Sequence, residues 1–140
     1  MREHIGEAQK IEGLSIKHDV SVPISRIPEF LERADRALSL AFPEIRLVTF
    51  GHIGDGNLHY NQSKSEAGEN AEFLAAQPQV NRIVHHLVHE LGGSISAEHG
   101  IGQLKRGELL RYKSAIEIEM MRAIKRTLDP RGLMNPGKIL

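Results

Sequence analysis

The segment Gly51-His52-Ile53-Gly54-Asp55-Gly56-Asn57-Leu58-His59-Tyr60-Asn61 sets two imidazoles around a glycine-rich turn. Imidazole is both a common ligand of divalent metals and a base near neutral pH, so the geometry of the pair matters. Asp55-Gly56 suits a two-residue type I′ turn, whose central residues both need positive φ. With that turn at the tip, Gly54 faces Asn57, Ile53 faces Leu58 and His52 faces His59, with Cβ atoms about 4.5–5.5 Å apart. Asn61 lies two residues beyond His59, and strand alternation puts its amide on the same face. Such a pair can share a metal of the zinc or manganese type if a third ligand arrives from elsewhere. Spacing alone equally allows two histidines decorating an exposed hairpin. Gly51, Gly54 and Gly56 favour a site, because they admit a ligand or a second backbone at a cost in strand stability.

A second group of chemical interest is Glu98-His99-Gly100-Ile101-Gly102. Neighbours in an extended segment point to opposite sides, so this carboxylate and imidazole should play different roles. Glu98 as a third protein ligand leaves coordination positions open, the mark of a catalytic metal, and His99 is then free to act as a base. The alternative is that Glu98 pairs with Lys105 or Arg106 while the glycines only shape a turn.

The elements that must carry these residues follow from pattern. A helix over residues 2–11 begins without an N-cap, as though a longer helix continued upstream. Ser15 to Val22 alternates, with Ile16, His18, Val20 and Val22 on one side and Lys17, Asp19 and Ser21 on the other, and Pro23 ends the strand. Ser25 is the expected cap of a helix from about Pro28 to Ala41, stopped by Pro43. The hairpin strands span 46–51 and 58–62. A helix from Ala71 or Pro78 runs to Leu91 and ends at Gly92-Gly93. A last helix covers about 114–128, with Ile116, Met120, Ile124 and Leu128 spaced four apart, and Asp129-Pro130 breaks it. Helices segregated from antiparallel strands indicate an α+β fold.

Composition narrows the function classes. In 140 residues Lys+Arg and Asp+Glu are both 18, so no net field draws a polyanion, and no nucleic-acid role is expected. The chain has no cysteine, which excludes disulfides and thiolate chemistry. No stretch approaches the roughly 18 apolar residues of a membrane span, and a cytoplasmic location is the default expectation, with membrane association through a partner left open.

Five blocks together resemble the C-terminal domain of FAD-linked oxidases, the family of D-lactate, glycolate and D-2-hydroxyglutarate dehydrogenases. They are Arg2-Glu3, Lys17-His18-Asp19-Val20-Ser21-Val22-Pro23, His52 to Asn61, Ser96-Ala97-Glu98-His99-Gly100-Ile101-Gly102, and Leu128-Asp129-Pro130-Arg131-Gly132-Leu133-Met134-Asn135-Pro136-Gly137-Lys138. The resemblance covers the whole chain, and its second-last and hairpin blocks are highly specific. It implies a ferredoxin-like antiparallel sheet with helices packed on one face, in a cap domain that follows an FAD-binding domain of which this sequence shows no trace. The chain is therefore expected to be a fragment, inactive alone, with residues 1–112 as the substrate- and metal-binding portion and 113–140 packing toward the FAD-binding domain. The resemblance further implies that His52, His59 and Glu98 hold a divalent metal, zinc or manganese, and that His99 is the catalytic base beside the flavin. Arg2 and Lys17 would bind the carboxylate of a 2-hydroxy acid, Asn61 would also touch substrate, and Asn135 would lie near the isoalloxazine ring. The electron acceptor is not specified by these motifs, and a homodimer is an open option.

Other histidines are given no role. Val80, Ile83, Val84, Leu87, Val88 and Leu91 form an apolar helix face, which is expected to send His85, His86 and His89 to the solvated side. His18 is expected in the core or behind the ligands. Two readings from other classes compete with the flavoenzyme: a stand-alone metal- or small-molecule-binding module, and a metal-dependent hydrolase, for which the helical His-Glu-x-x-His arrangement is lacking.

Overall fold

A computed structural model describes residues 13–64 and 70–140. These form two compact units, divided after Glu98. The helix expected over 2–11, and with it Arg2, lies outside the described residues.

The first unit is built on a four-stranded antiparallel sheet: β1 (Ser15–Ile16), β2 (Asp19–Ser21), β3 (Arg46–His52) and β4 (Asn57–Ser63). β4 is central. β1 and β2 lie in one register along one edge of it, Ile16 opposite Gln62 and Asp19 opposite His59, so they act as a single strand interrupted at 17–18. The Tyr60 N–H donates to the His18 carbonyl across that interruption at 2.9 Å. β3 flanks the other edge. Beyond β2, Ser94 pairs with Ser21 through reciprocal backbone bonds of 2.8 and 2.9 Å, adding a short outer segment. Counting that segment and the split strand once each, the order is that of the expected ferredoxin-like α+β fold.

Two helices cover one face of this sheet. In α1 (Ile27–Ala41), Ile27, Phe30, Ala34 and Leu38 are buried at helical spacing, and the Phe30 ring meets Tyr60 edge-on, centroids 5.2 Å apart. The expected Ser25 cap does not form: Ser25 sits in a 3-10 turn (Ile24–Arg26) that leads into the helix, and no side chain caps it. α2 (Asn70–Glu90) contains Pro78 and buries Val80, Val84, Leu87 and Val88. His85 is also buried, 1 % exposed, which corrects the expectation that all three helix histidines face solvent. It borders the apolar stripe beside Asn81 and Val88, and its ring packs edge-on against His18 at 5.3 Å. His18 is held within the core between the Gln62 Oε1 (2.9 Å) and Asn81 Oδ1 (3.0 Å) amide oxygens, so its burial is compensated by hydrogen bonds.

The second unit contains α3 (Arg106–Tyr112), which no sequence pattern announced, and α4 (Ala115–Leu128). A capping box starts α4: the Glu117 N–H donates to Ser114 Oγ at 3.2 Å, and the Ser114 N–H donates to Glu117 Oε2 at 2.9 Å. Asp129 ends it as expected, accepting the Leu133 and Met134 N–H groups at 2.9 Å each. Among the described residues no helix is long and apolar enough to cross a membrane.

Candidate metal centre

The sheet face turned away from the helices collects the polar residues. Alternation along β4 sends Leu58, Tyr60 and Gln62 toward the helices and Asn57, His59 and Asn61 to the other side. Register then aligns Lys17 and Asp19 on one flank with Phe50 and His52 on the other.

The expected hairpin turn does not form, and this changes the pairing. Residues 53–55 make a 3-10 turn closed by Gly56 at φ +70, with Asp55 outside the positive-φ region. The connection is therefore longer than a two-residue turn, and His52 stands opposite Asn57 rather than His59. The cause lies outside the hairpin. Gly56 is pressed against the end of the neighbouring strand, where its carbonyl accepts the Val22 N–H at 3.0 Å and a Cβ on it would lie 2.2 Å from the Val22 carbonyl oxygen. A shift of two residues preserves the face, whereas a shift of one would reverse it. His52 and His59 thus remain neighbours, diagonal instead of opposed, with centroids 6.3 Å apart. Phe50 takes the place opposite His59 and its ring lies 5.0 Å from the imidazole.

Glu98 reaches the same place from the outer segment. Its Oε1 lies 3.2 Å from His52 Nε2 and its Oε2 lies 3.7 Å from His59 Nε2. One ligand atom from each of the three residues falls within 4.8 Å of the others. Bonds of about 2.1 Å in a tetrahedral shell put ligand atoms about 3.4 Å apart, so these separations suit a zinc- or manganese-sized ion. Two imidazoles and one carboxylate are also the donor set of a metal with open positions.

Two residues that the sequence reading passed over hold Glu98. Asn57 donates its amide to Glu98 Oε1 at 2.6 Å, and its own Oδ1 is buried with no hydrogen-bond partner among the described residues. Asp19, only 3 % exposed, accepts the Ala97 and Glu98 N–H groups on Oδ2 at 3.1 and 2.8 Å. Its Oδ1 lies 3.7 Å from His59 Nδ1. In sequence Asp19 reads as one of three polar residues on the strand side opposite Ile16, His18, Val20 and Val22. Only the docking of residues 94–98 beside β2 buries it, and that docking needs Gly93, where a Cβ would lie 2.2 Å from the Ser21 carbonyl oxygen.

Of the remaining expected residues, Lys17 is exposed and aligned by register with Asn61. Asn61 is buried and accepts the His18 N–H on Oδ1 at 3.2 Å. His99 and Asn135 belong to the second unit. There Asn135 has φ +47 and, with Gly102, Ile124, Leu128, Met134 and Ile139, lines an apolar cavity of about 660 Å³.

Residues 1–139 match the family described as FAD linked oxidases, C-terminal domain. Over 139 residues, 99 % of this chain and 30 % of the relative, the sequence is 44 % identical to a protein of Stutzerimonas stutzeri named D-2-hydroxyglutarate dehydrogenase. A protein of that name from Xanthomonas citri pv. viticola is 50 % identical over 123 residues, 88 % of this chain and 26 % of its own length. The mitochondrial D-2-hydroxyglutarate dehydrogenase of Rattus norvegicus is 36 % identical over 140 residues, 100 % of this chain and 25 % of the relative. The chain spans 25 to 30 % of the length of these curated relatives.

Proposed function

The chain belongs to the C-terminal domain family of FAD-linked oxidases, and on that premise we propose that it is the metal- and substrate-holding part of an FAD-dependent 2-hydroxy-acid dehydrogenase. The names of its relatives favour D-2-hydroxyglutarate as substrate over lactate or glycolate. The observation that carries this reading is the convergence of His52, His59 and Glu98 on the sheet face that also presents Lys17 and Asn61.

In this reading His52, His59 and Glu98 hold one divalent ion, zinc or manganese. Bound there, the ion supplies Lewis acidity to the hydroxyl and carboxylate oxygens of a 2-hydroxy acid, while FAD, carried mainly by an upstream domain, supplies the hydride acceptor. Lys17 offers the substrate carboxylate a point charge, and Arg2 is given the same duty by family membership. Asn61, steadied by the His18 backbone, adds an amide to the substrate pocket. His99, one peptide bond from Glu98, takes the hydroxyl proton as the hydride leaves C2. Residues 113–140 pack toward the FAD-binding domain, with Asn135 near the flavin ring. That assignment is supported by an apolar stripe on α4, where Ile116, Met120, Ile124 and Leu128 are 70, 60, 58 and 74 % exposed. Contiguous exposed apolar surface of this kind marks contact with another protein surface.

Elemental analysis of the purified chain after incubation with zinc or manganese and exhaustive dialysis tests the ligand set. About one equivalent is expected in the wild type, with near-complete loss in His52→Ala and Glu98→Gln at unchanged circular dichroism. A wild-type chain that retains no metal overturns the reading.

A further inference from the structure

The Asp19 carboxylate faces two parts of the proposed ligand set at once. One oxygen receives the backbone N–H groups of Ala97 and Glu98, fixing the segment that carries the third ligand. The other oxygen faces the ring nitrogen of His59 that points away from Glu98. His59 therefore lies between two carboxylates, Asp19 at Nδ1 and Glu98 at Nε2. A neutral imidazole carries one proton, and which nitrogen keeps it is decided by the partner that the other nitrogen meets.

We infer that Asp19 is the positioning residue of this centre: it holds Glu98 by the backbone and selects the Nδ1–H tautomer of His59, so that the Nε2 lone pair and the Glu98 carboxylate are presented together. The separation of 3.7 Å is longer than a hydrogen bond, so the present contact is electrostatic. A small rotation of the ring converts it into a charge-assisted hydrogen bond from Nδ1–H to Oδ1. The cross-strand pairing of Asp19 with His59 makes this arrangement a consequence of sheet register. It also accounts for a carboxylate buried to 3 % exposure on the sheet face opposite α1 and α2. The inference rests on the reading of His52, His59 and Glu98 as ligands, and nothing in that reading requires Asp19.

The test uses Asp19→Asn in the 140-residue chain. The amide keeps the shape and one acceptor oxygen for the two N–H groups, but it turns an NH₂ toward His59 and so reverses the polarity that Nδ1 meets. An exchange of this kind beside a catalytic imidazole imposes the wrong tautomer. Long-range ¹H–¹⁵N spectra should show neutral His59 protonated on Nδ1 in the wild type and on Nε2 in Asp19→Asn. Competition titration with zinc should show affinity reduced by about 10- to 100-fold in Asp19→Asn. Glu98→Gln should lose zinc while His59 keeps the wild-type tautomer, which separates a ligand from a residue that positions one. An Nε2–H tautomer in the wild type overturns the inference even if Asp19→Asn does not fold. Zinc binding by the wild type that Asp19→Asn leaves unchanged overturns the inference alone, whereas a wild-type chain that binds no zinc overturns the ligand set and this inference together.

Discussion

His52 and His59 lie diagonally across the β3–β4 hairpin with ring centroids 6.3 Å apart, because His52 pairs with Asn57 and His59 with Phe50. The diagonal leaves room between the rings for Glu98, whose two oxygens face the two imidazoles separately. Cross-strand partners stand closer than diagonal ones, about 5 Å against 7–8 Å, so a directly opposed pair would have brought the two side chains nearer to each other.

The turn that sets this diagonal depends on Gly56. Gly56→Ala must adopt φ +70 and displace the Val22 carbonyl. A loss of about 1–3 kcal/mol in urea denaturation is expected. Gly54 has open space around the place of a Cβ, and Gly54→Ala should stay within about 0.5 kcal/mol. Equal losses at the two glycines would count against this turn.

Tyr60 joins the sheet to α1 through Phe30 and through its hydroxyl, which donates to Asp35 Oδ1 at 2.7 Å. Burial, and after it the Asp35 hydrogen bond, raises the phenol above its ordinary value of 10.0. Because the folded-state value is the higher one, this contribution is complete below pH 10 and is lost as pH rises beyond it. Tyr60→Phe should cost about 1 kcal/mol at neutral pH. In alkaline denaturation series its stability should fall less steeply than the wild type above pH 10.

Glu117 gives the opposite sign. The Lys113 ammonium first, then the Ser114 N–H and hydroxyl, lower its carboxyl from 4.5 to about 2. The capping box therefore contributes fully above pH 4.5 and fades as pH falls toward 2. Thermal melts of the wild type and Glu117→Gln should differ at pH 7 and converge across that interval. A constant gap would show that the carboxylate form is not what matters.

The base assignment can be examined by joining this chain to the upstream portion of the Stutzerimonas stutzeri relative. His99→Ala in that fusion should lower turnover about 10²- to 10⁴-fold while flavin absorbance is retained. Turnover at the wild-type level would remove His99 from the mechanism.

The apolar face of α4 makes a separable prediction. Ile116→Lys and Met120→Lys replace side chains already 70 and 60 % exposed, so the stability of the chain should change by no more than about 0.5 kcal/mol. In the same fusion, both should loosen the two portions, measured as faster proteolysis between them. Unaltered proteolysis would place the contact elsewhere.

The sequence by itself determined which side of the sheet each residue occupies, because strand alternation has a period of two and survives errors in pairing. His52, His59 and Asn61 fall on one face whether the hairpin turns at 55–56 or over 53–56. Helix ends written in local chemistry were legible too, as where α4 stops at Asp129-Pro130. Partners and burial were not legible, because they depend on residues distant in the chain. The turn yields to Val22 pressing on Gly56, His85 is drawn inside by His18, and Asp19 leaves solvent only when residues 94–98 dock against β2. Those long-range contacts, which no local propensity encodes, decided that an acidic residue on a polar strand face would stand behind His59 and carry the backbone of Glu98.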